Sequence, residues 1–219
     1  MKFIHTSDWH IGRLFQNISL LEDQLHVLKQ IKNYAKVHQV DALIVAGDIF
    51  DRSVPPADAV EALDHFLDEI SSELKLPIIM ISGNHDSSKR LGFGASHMRL
   101  SGLHILSQLS DVIKPVIIET ATGTVHFYGI PYHDPVEVRE AFACEVSTYD
   151  EAHTFLVDQI KQVRVAGVPS VVISHCFIDG AEESESERPL SIGGADRVSY
   201  QPLEDFDYVA LGHLHGPQY

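Results

Sequence analysis

Apolar residues along the first half of the chain fall into short runs, each stopped by a polar cluster of similar make-up. The run Ile78-Ile79-Met80-Ile81 follows Pro77 and ends at Ser82-Gly83-Asn84-His85-Asp86. Short, β-branched and uninterrupted, it predicts a strand buried on both faces, with Gly83 giving the sharp turn by which the backbone leaves the sheet. The segment 40–46 reads in the same way and ends in Gly47-Asp48-Ile49-Phe50-Asp51, while 2–6 predicts a first strand ending in Ser7-Asp8-Trp9-His10. Helical periods lie between these strands. One covers 19–38, with Leu20, Leu21, Leu25, Leu28, Ile31, Tyr34 and Ala35 on it. The other opens at Pro55-Pro56 and runs to about residue 74, with Val60, Leu63, Phe66, Leu67 and Ile70 on its inner face.

After Asp86, 91–101 predicts a short helix weakened by Gly92 and Gly94. Strands over 103–105, 116–119 and 125–130 follow, separated by Gly-containing turns too short for helices. Three successive short strands after a βαβαβ half predict a second, mixed sheet. A helix over 149–165 leads to a buried strand over 170–174 that ends at His175, and a last strand over 207–211 ends in Gly212-His213-Leu214-His215. Between these two strands, 178–198 is a polar loop with the acidic run Glu182-Glu183-Ser184-Glu185-Ser186-Glu187. A loop of that length is uncommon in a compact domain, and both a solvated excursion and a substrate-gating or contact loop fit it.

Composition narrows the class. With 219 residues, 44% of them hydrophobic and 21% charged, the chain suits one globular domain with a sizeable core. It has no internal repeat or low-complexity tract, no apolar start suited to a signal peptide and no stretch near the ~18 apolar residues of a membrane span. Cys144 and Cys176 are too few for a disulfide framework. A cytoplasmic protein without membrane association is expected. The formal charge of −15 counts against a protein that coats nucleic acid with its own cations. It does not count against an enzyme whose bound ions supply the local positive field.

The polar clusters carry the chemistry. Five strand ends present Asp8 with His10, Asp48, Asn84 with His85, His175, and His213 with His215. Asp8 and His10 are two apart, so extended backbone would point both to one side. Buried, unpaired Asp and His are costly, and a core has no reason to gather them without a cation. Two carboxylates, three or four imidazoles and an amide, with no thiolate, form a mixed nitrogen and oxygen shell that suits Mn(II), Fe or Zn. Seven ligands are too many for one ion and natural for two. A carboxylate must then bridge them, and Asp48, alone on its strand end, is the candidate.

Asp8-Trp9-His10, Gly47-Asp48, Gly83-Asn84-His85-Asp86, His175 and Gly212-His213-Leu214-His215 resemble the five motifs of the calcineurin-like metallophosphoesterases. Three longer stretches, 5–12, 45–51 and 210–215, resemble the bacterial SbcD exonuclease family, relatives of the double-strand-break-repair nuclease, as does Ser186-Glu187-Arg188 with Gly193-Gly194. The resemblance implies an α/β fold of two packed mixed β-sheets flanked by helices, an αββα sandwich. It also implies that 1–219 is one metallophosphoesterase nuclease domain, without the family's C-terminal capping domain and ATPase-docking segment. Two divalent ions, Mn(II) by preference, would be held by Asp8, His10, Asp48 and His215, and by Asp48, Asn84, His175 and His213. The implied activity is manganese-dependent DNA cleavage, exonucleolytic and endonucleolytic, within an SbcCD-type repair and recombination complex. The implied partners are DNA, an SbcC-type ATPase and a second copy of the chain. His85 would project away from the metals towards the leaving oxygen, as proton donor or stabiliser, with Asp51 or Asp86 orienting its ring. Arg13, Arg52, Lys89 and Arg90 leave the same sheet edge and are candidates for DNA-backbone contacts. Gly216 stands where the family often has a basic residue. Two other readings stay open: a phosphodiesterase or phosphoprotein phosphatase on the same centre, and a non-catalytic, metal-bound scaffold for an ATPase. The SbcD-like flanks weigh against the first and His85 against the second.

Overall fold

Two four-stranded sheets lie face to face between layers of helix. In the computed structural model residues 1–181 and 197–216 are described; the acidic run 182–187, Arg188 and Gly193-Gly194 lie outside them. The chain begins with β1 (Phe3–Thr6), a hairpin of β2 (Leu14–Phe15) and β3 (Ile18–Ser19), α1 (Leu21–His38), β4 (Ala42–Ala46), α2 (Ala57–Glu69) and β5 (Ile78–Ile81). Short helices α3 (Ser88–Leu91) and α4 (Ala95–Met98) precede β6 (Leu103–Leu106), β7 (Val116–Thr120) and β8 (Gly123–Ile130). Helices α5 (Pro135–Phe142) and α6 (Tyr149–Val163) then lead to β9 (Ser170–His175), the short pair β10 (Phe177–Ile178) and β11 (Arg197–Val198), and β12 (Tyr208–Gly212).

The first sheet has the order β1-β4-β5-β6 and is parallel throughout. The second has the order β12-β9-β8-β7, parallel except for antiparallel β7. Period-two alternation divides each strand between two cores. Ile44, Ala46, Ile79 and Ile81 face inwards and meet Phe127, Val171, Ile173 and Ala210 of the second sheet. Their neighbours Leu43, Val45, Ile78 and Met80 face outwards and pack with Leu28, Ala35, Leu63 and Phe66 of α1 and α2. On the far side, Tyr128, Ile130 and Val172 pack with Val138 of α5 and Leu156, Val157 and Ile160 of α6. Burial on both faces is why 42–46 and 78–81 read as unbroken apolar runs.

Several expectations need correction. Strand β6 pairs in parallel with β5 and extends the first sheet, so only β7 and β8 of the three successive strands enter the second. The expected helix over 91–101 is cut in two, with Gly94 in left-handed backbone at φ 75°. Helix α5 was not anticipated, although Asp134-Pro135 with Glu137 forms a capping box with proline in the first turn. The β2–β3 hairpin was also missed; Gln16 and Asn17 supply the two positive φ values its tight turn needs. The end of the second helix, Ile70–Leu74, is a π-helical turn. Val60 faces solvent, leaving Ala59, Ala62, Leu63, Phe66, Leu67 and Ile70 on the inner face, and Leu25 and Tyr34 of α1 are likewise exposed.

Candidate metal centre

Strands β1, β4 and β5 run parallel in one sheet and β9 and β12 in the other, so the five predicted strand ends fall on one edge of the sandwich. Backbone bonds then stitch the loops together. The N–H groups of Asp8, His10 and Ile11 donate to the carbonyls of Gly47, Asp48 and Ile49, each at 3.0 Å. From the second sheet, the His213 N–H donates to both carboxylate oxygens of Asp8 at 3.2 and 3.0 Å.

Asp48 sits at the middle of the cluster. Its Oδ2 lies 3.5 Å from His175 Nε2, 3.8 Å from His10 Nε2 and 3.8 Å from His85 Nε2, and its Oδ1 accepts the His85 N–H at 2.8 Å. Around this carboxylate the donors form two groups. Asp8 Oδ1 stands 3.9 Å from His10 Nε2 and 3.7 Å from His215 Nε2. Asn84 Oδ1 stands 3.0 Å from His175 Nε2 and 3.1 Å from His213 Nδ1. Both ring nitrogens of His10 are buried without a hydrogen-bond partner, a costly state that an ion at Nε2 would relieve. The donor set therefore fits divalent cations; the seven residues read from the sequence converge, and the Asp51 carboxylate joins them, with Oδ1 3.9 Å from His10 Nδ1 in a group that includes His85.

Histidine tautomers follow from their fixed partners. A carbonyl only accepts, so His175 Nδ1 must donate to Ala46 O at 2.8 Å, which turns Nε2 towards Asp48 and Asn84. Burial opposes charge on His175, but the hydrogen bond and charge of Asp48 outweigh it and raise the imidazole to about 9. The partner responds in kind: burial opposes ionisation of Asp48, yet His175 and the His85 N–H hold its carboxyl well below the usual range. His10 goes the other way, because burial dominates and pushes it down to about 4 despite Asp48 and Asp8.

The loop geometry departs from the expected one. Asp8 and His10 are not in extended backbone; both are left-handed, at φ 55° and 44°, and the side chains converge because the loop coils. Gly83 has no positive φ, and its lack of a side chain serves close approach instead, since a Cβ there would strike the Asp48 carboxylate and backbone nitrogen. Gly47 is the residue that needs left-handed backbone, at φ 92°.

His85 points into the cluster rather than away from it, with its ring centroid 4.5 Å from that of His10. Its Nδ1 donates to the main-chain carbonyl of Asp51 at 2.8 Å, so Asp51 orients the ring through its backbone. Asp86 makes no such contact. Its carboxylate accepts the N–H groups of Ile49, Phe50 and Gly83. Of the four basic candidates, Arg13 is close enough for its charge to lower the His10 pKa. Lys89 lines a 380 Å³ cavity beside Asn84 and Asp86. Arg52 and Arg90 are exposed on the adjoining loop and on α3.

Two residues near the centre act through contacts that only the fold shows, although His5 lies within the 5–12 stretch. His5 Nε2 donates to Leu211 O at 2.9 Å and ties β1 to β12 across the two sheets. Gln24 of α1 bonds three backbone groups of the loop that bears Asp8 and His10. A polar residue on a helix face looks like any solvated position, so only the fold singles it out.

The chain is similar to several known proteins. The calcineurin-like phosphoesterase family matches residues 1–217. Among curated proteins, the chain is 37% identical over 218 residues to the SbcD subunit of the SbcCD nuclease from Staphylococcus epidermidis and 38% identical to its counterpart from Staphylococcus saprophyticus. Each alignment covers 99% of this chain, which spans 57% of the length of either relative. Among solved structures, TT1561 of Thermus thermophilus superposes with a TM-score of 0.50 at 12% identity, covering 89% of this chain and 72% of that one, a likeness of fold.

Proposed function

Because this chain belongs to the calcineurin-like phosphoesterase family, we propose that it is a two-metal, manganese-dependent DNA nuclease domain of the SbcCD type. The observation that carries the reading is the convergence of six candidate ligands, Asp8, His10, Asn84, His175, His213 and His215, around Asp48 in a chain so similar to the staphylococcal SbcD subunits. Asp8, His10, Asp48 and His215 would hold one ion, and Asp48, Asn84, His175 and His213 the other. When bound, such ions lower the pKa of a shared water and neutralise a phosphodiester for in-line attack.

The protein's own groups supply the rest. With Nδ1–H committed to the Asp51 carbonyl, His85 presents Nε2 to the centre as the atom that exchanges a proton with the leaving oxygen. Asn84 contributes an amide where a third carboxylate would lower the positive charge that attracts phosphate. Arg13 and Lys89, nearest the cluster, are the basic residues best placed to meet a nucleic-acid backbone, and we include Arg52 and Arg90 in that surface. Asp86 belongs to the frame rather than to the chemistry. DNA, an SbcC-type ATPase and a second copy of the chain are the partners this reading implies.

Hydrolysis of bis-p-nitrophenyl phosphate, p-nitrophenyl phosphate and single-stranded DNA with Mn(II) tests it. The expected result is cleavage of the diester and the DNA. Brisk monoester hydrolysis with neither of the others would assign a phosphatase, and no hydrolysis at all would assign a scaffold.

A further inference from the structure

We propose that Gln24, on α1, is the positioning residue for one half of the metal centre, the half that contains Asp8 and His10. The inference rests on the two-metal reading above. Asp8 and His10 both occupy left-handed backbone, and Gly12 follows at φ 88°. Side-chain-bearing residues avoid this region unless the surroundings over-determine it. Loop 8–12 is held on one side by its bonds to Gly47, Asp48 and Ile49. Its coiled path turns two consecutive carbonyls, those of Trp9 and His10, to the opposite side, towards α1.

The Gln24 amide meets both carbonyls. Its Nε2 donates to Trp9 O at 3.1 Å and to His10 O at 2.6 Å, and its Oε1 accepts the Gly12 N–H at 3.0 Å. One planar group thus satisfies three backbone groups within four consecutive residues. Its orientation is unambiguous, because a flipped amide would set oxygen against both carbonyls. The Trp9 ring anchors the same turn through an edge-on contact with Phe66 and an Nε1–H bond to Thr6 Oγ1 at 3.0 Å. Gln24 touches no atom of β5, β9 or β12 in these bonds, and those strands or the loops that follow them carry Asn84, His175 and His213. Its loss would therefore free the φ values of Asp8 and His10 and loosen the ion they hold, while the other ion, tied to that loop through the His213 N–H bonds to Asp8 and through the shared Asp48, is affected less.

The test is titration of metal-free protein with Mn(II) alone, followed by calorimetry and electron paramagnetic resonance, for the unaltered chain, Gln24→Leu and Gln24→Glu. Leucine keeps the bulk and removes every bond; glutamate keeps the acceptor for Gly12 and removes both donors. The expected result is two binding steps in the unaltered chain, one of them weakened about 10–100-fold in both variants, the range for lost support behind a metal ligand. Diester turnover at saturating Mn(II) should then recover while the Mn(II) concentration needed for it rises. Gln24→Asn, which draws the same amide back by one methylene, carries the same expectation and serves if Gln24→Leu does not fold. Equal weakening of both steps together with a lower melting temperature would show a general structural role and overturn the proposal, as would two unchanged steps. An unaltered chain that binds no Mn(II) would defeat the two-metal reading itself, and this inference with it.

Discussion

Replacing Asp86 by alanine separates a frame residue from a catalytic one. Its Oδ2 accepts the N–H groups of Ile49 at 3.1 Å and Gly83 at 2.9 Å, and its Oδ1 accepts that of Phe50 at 2.9 Å. These donors belong to the loops after β4 and β5, which carry Asp48 and Asn84. Burial raises the Asp86 carboxyl to about 6, the three N–H groups pulling against it and Asp48 adding to the rise. Alanine strands three inward donors at ~1–3 kcal/mol each, or ~6 kcal/mol at the middle of the range. It also relieves the cost of a buried charge, roughly 3 kcal/mol for a rise of about two pKa units. The net expectation is a loss of ~3 kcal/mol, which for a chain of this size lowers Tm by ~6–12 °C. Asparagine keeps one acceptor oxygen and should lose less. Calorimetry of the metal-free protein at pH 7, beside Mn(II) titration, reads both effects. An Asp86→Ala protein that melts within ~2 °C of the unaltered chain, binds Mn(II) normally and is inactive on the diester would refute this reasoning and make Asp86 a catalytic group.

His85→Gln should bind Mn(II) with the affinity of the unaltered chain yet turn over the diester at least ~100-fold more slowly, the low end for a lost proton donor; weakened Mn(II) binding in that variant would make His85 a ligand. Asn84→Ala should instead weaken one of the two binding steps. Removing metal with EDTA should lower Tm, and Mn(II) at 100 times its Kd should restore ~2.7 kcal/mol, or roughly 5–11 °C; a melting curve indifferent to Mn(II) would count against the centre. Burial pushes His153 of α6 down to about 3, where its Nε2 meets Ser174 Oγ at 2.9 Å. Its folded-state pKa thus lies below the unfolded value near 6.5, so the unfolded chain takes up the proton first. Stability tied to this ring is complete above pH ~6.5 and falls as the pH drops from there towards 3, by roughly 2 kcal/mol at pH 5. Urea denaturation at pH 7 and pH 5 should show that fall in the unaltered chain and a smaller one in His153→Gln; parallel losses would place the acid sensitivity elsewhere.

Strands β4 and β5 and the polar residues at their ends were legible along the chain because each is a local property. A strand buried on both faces needs a continuous apolar run, and candidate metal ligands such as Asp, His and Asn are recognisable whatever the loop around them does. The family resemblance added the grouping of these ligands, again from contiguous motifs. Decisions that depend on distant partners were not legible in this way. Whether 103–106 joins the first sheet or the second depends on which open edge lies nearer, and β5 offered one. The convergence of Asp8 and His10 looked like extended geometry but comes from left-handed backbone held between β4 and α1. Gly83 looked like a turn residue, and its role is set by the Asp48 carboxylate lying against it. Nothing local told Asp86 from a residue that orients the His85 ring, whereas in the fold its oxygens face three backbone N–H groups, and nothing local told Gln24 from a solvated amide. Composition and periodicity act through each residue's own preference for water or backbone shape. Asp86 and Gln24 make hydrogen bonds to chain 36–37 and 12–15 residues away, which exist only once the fold has brought those segments together.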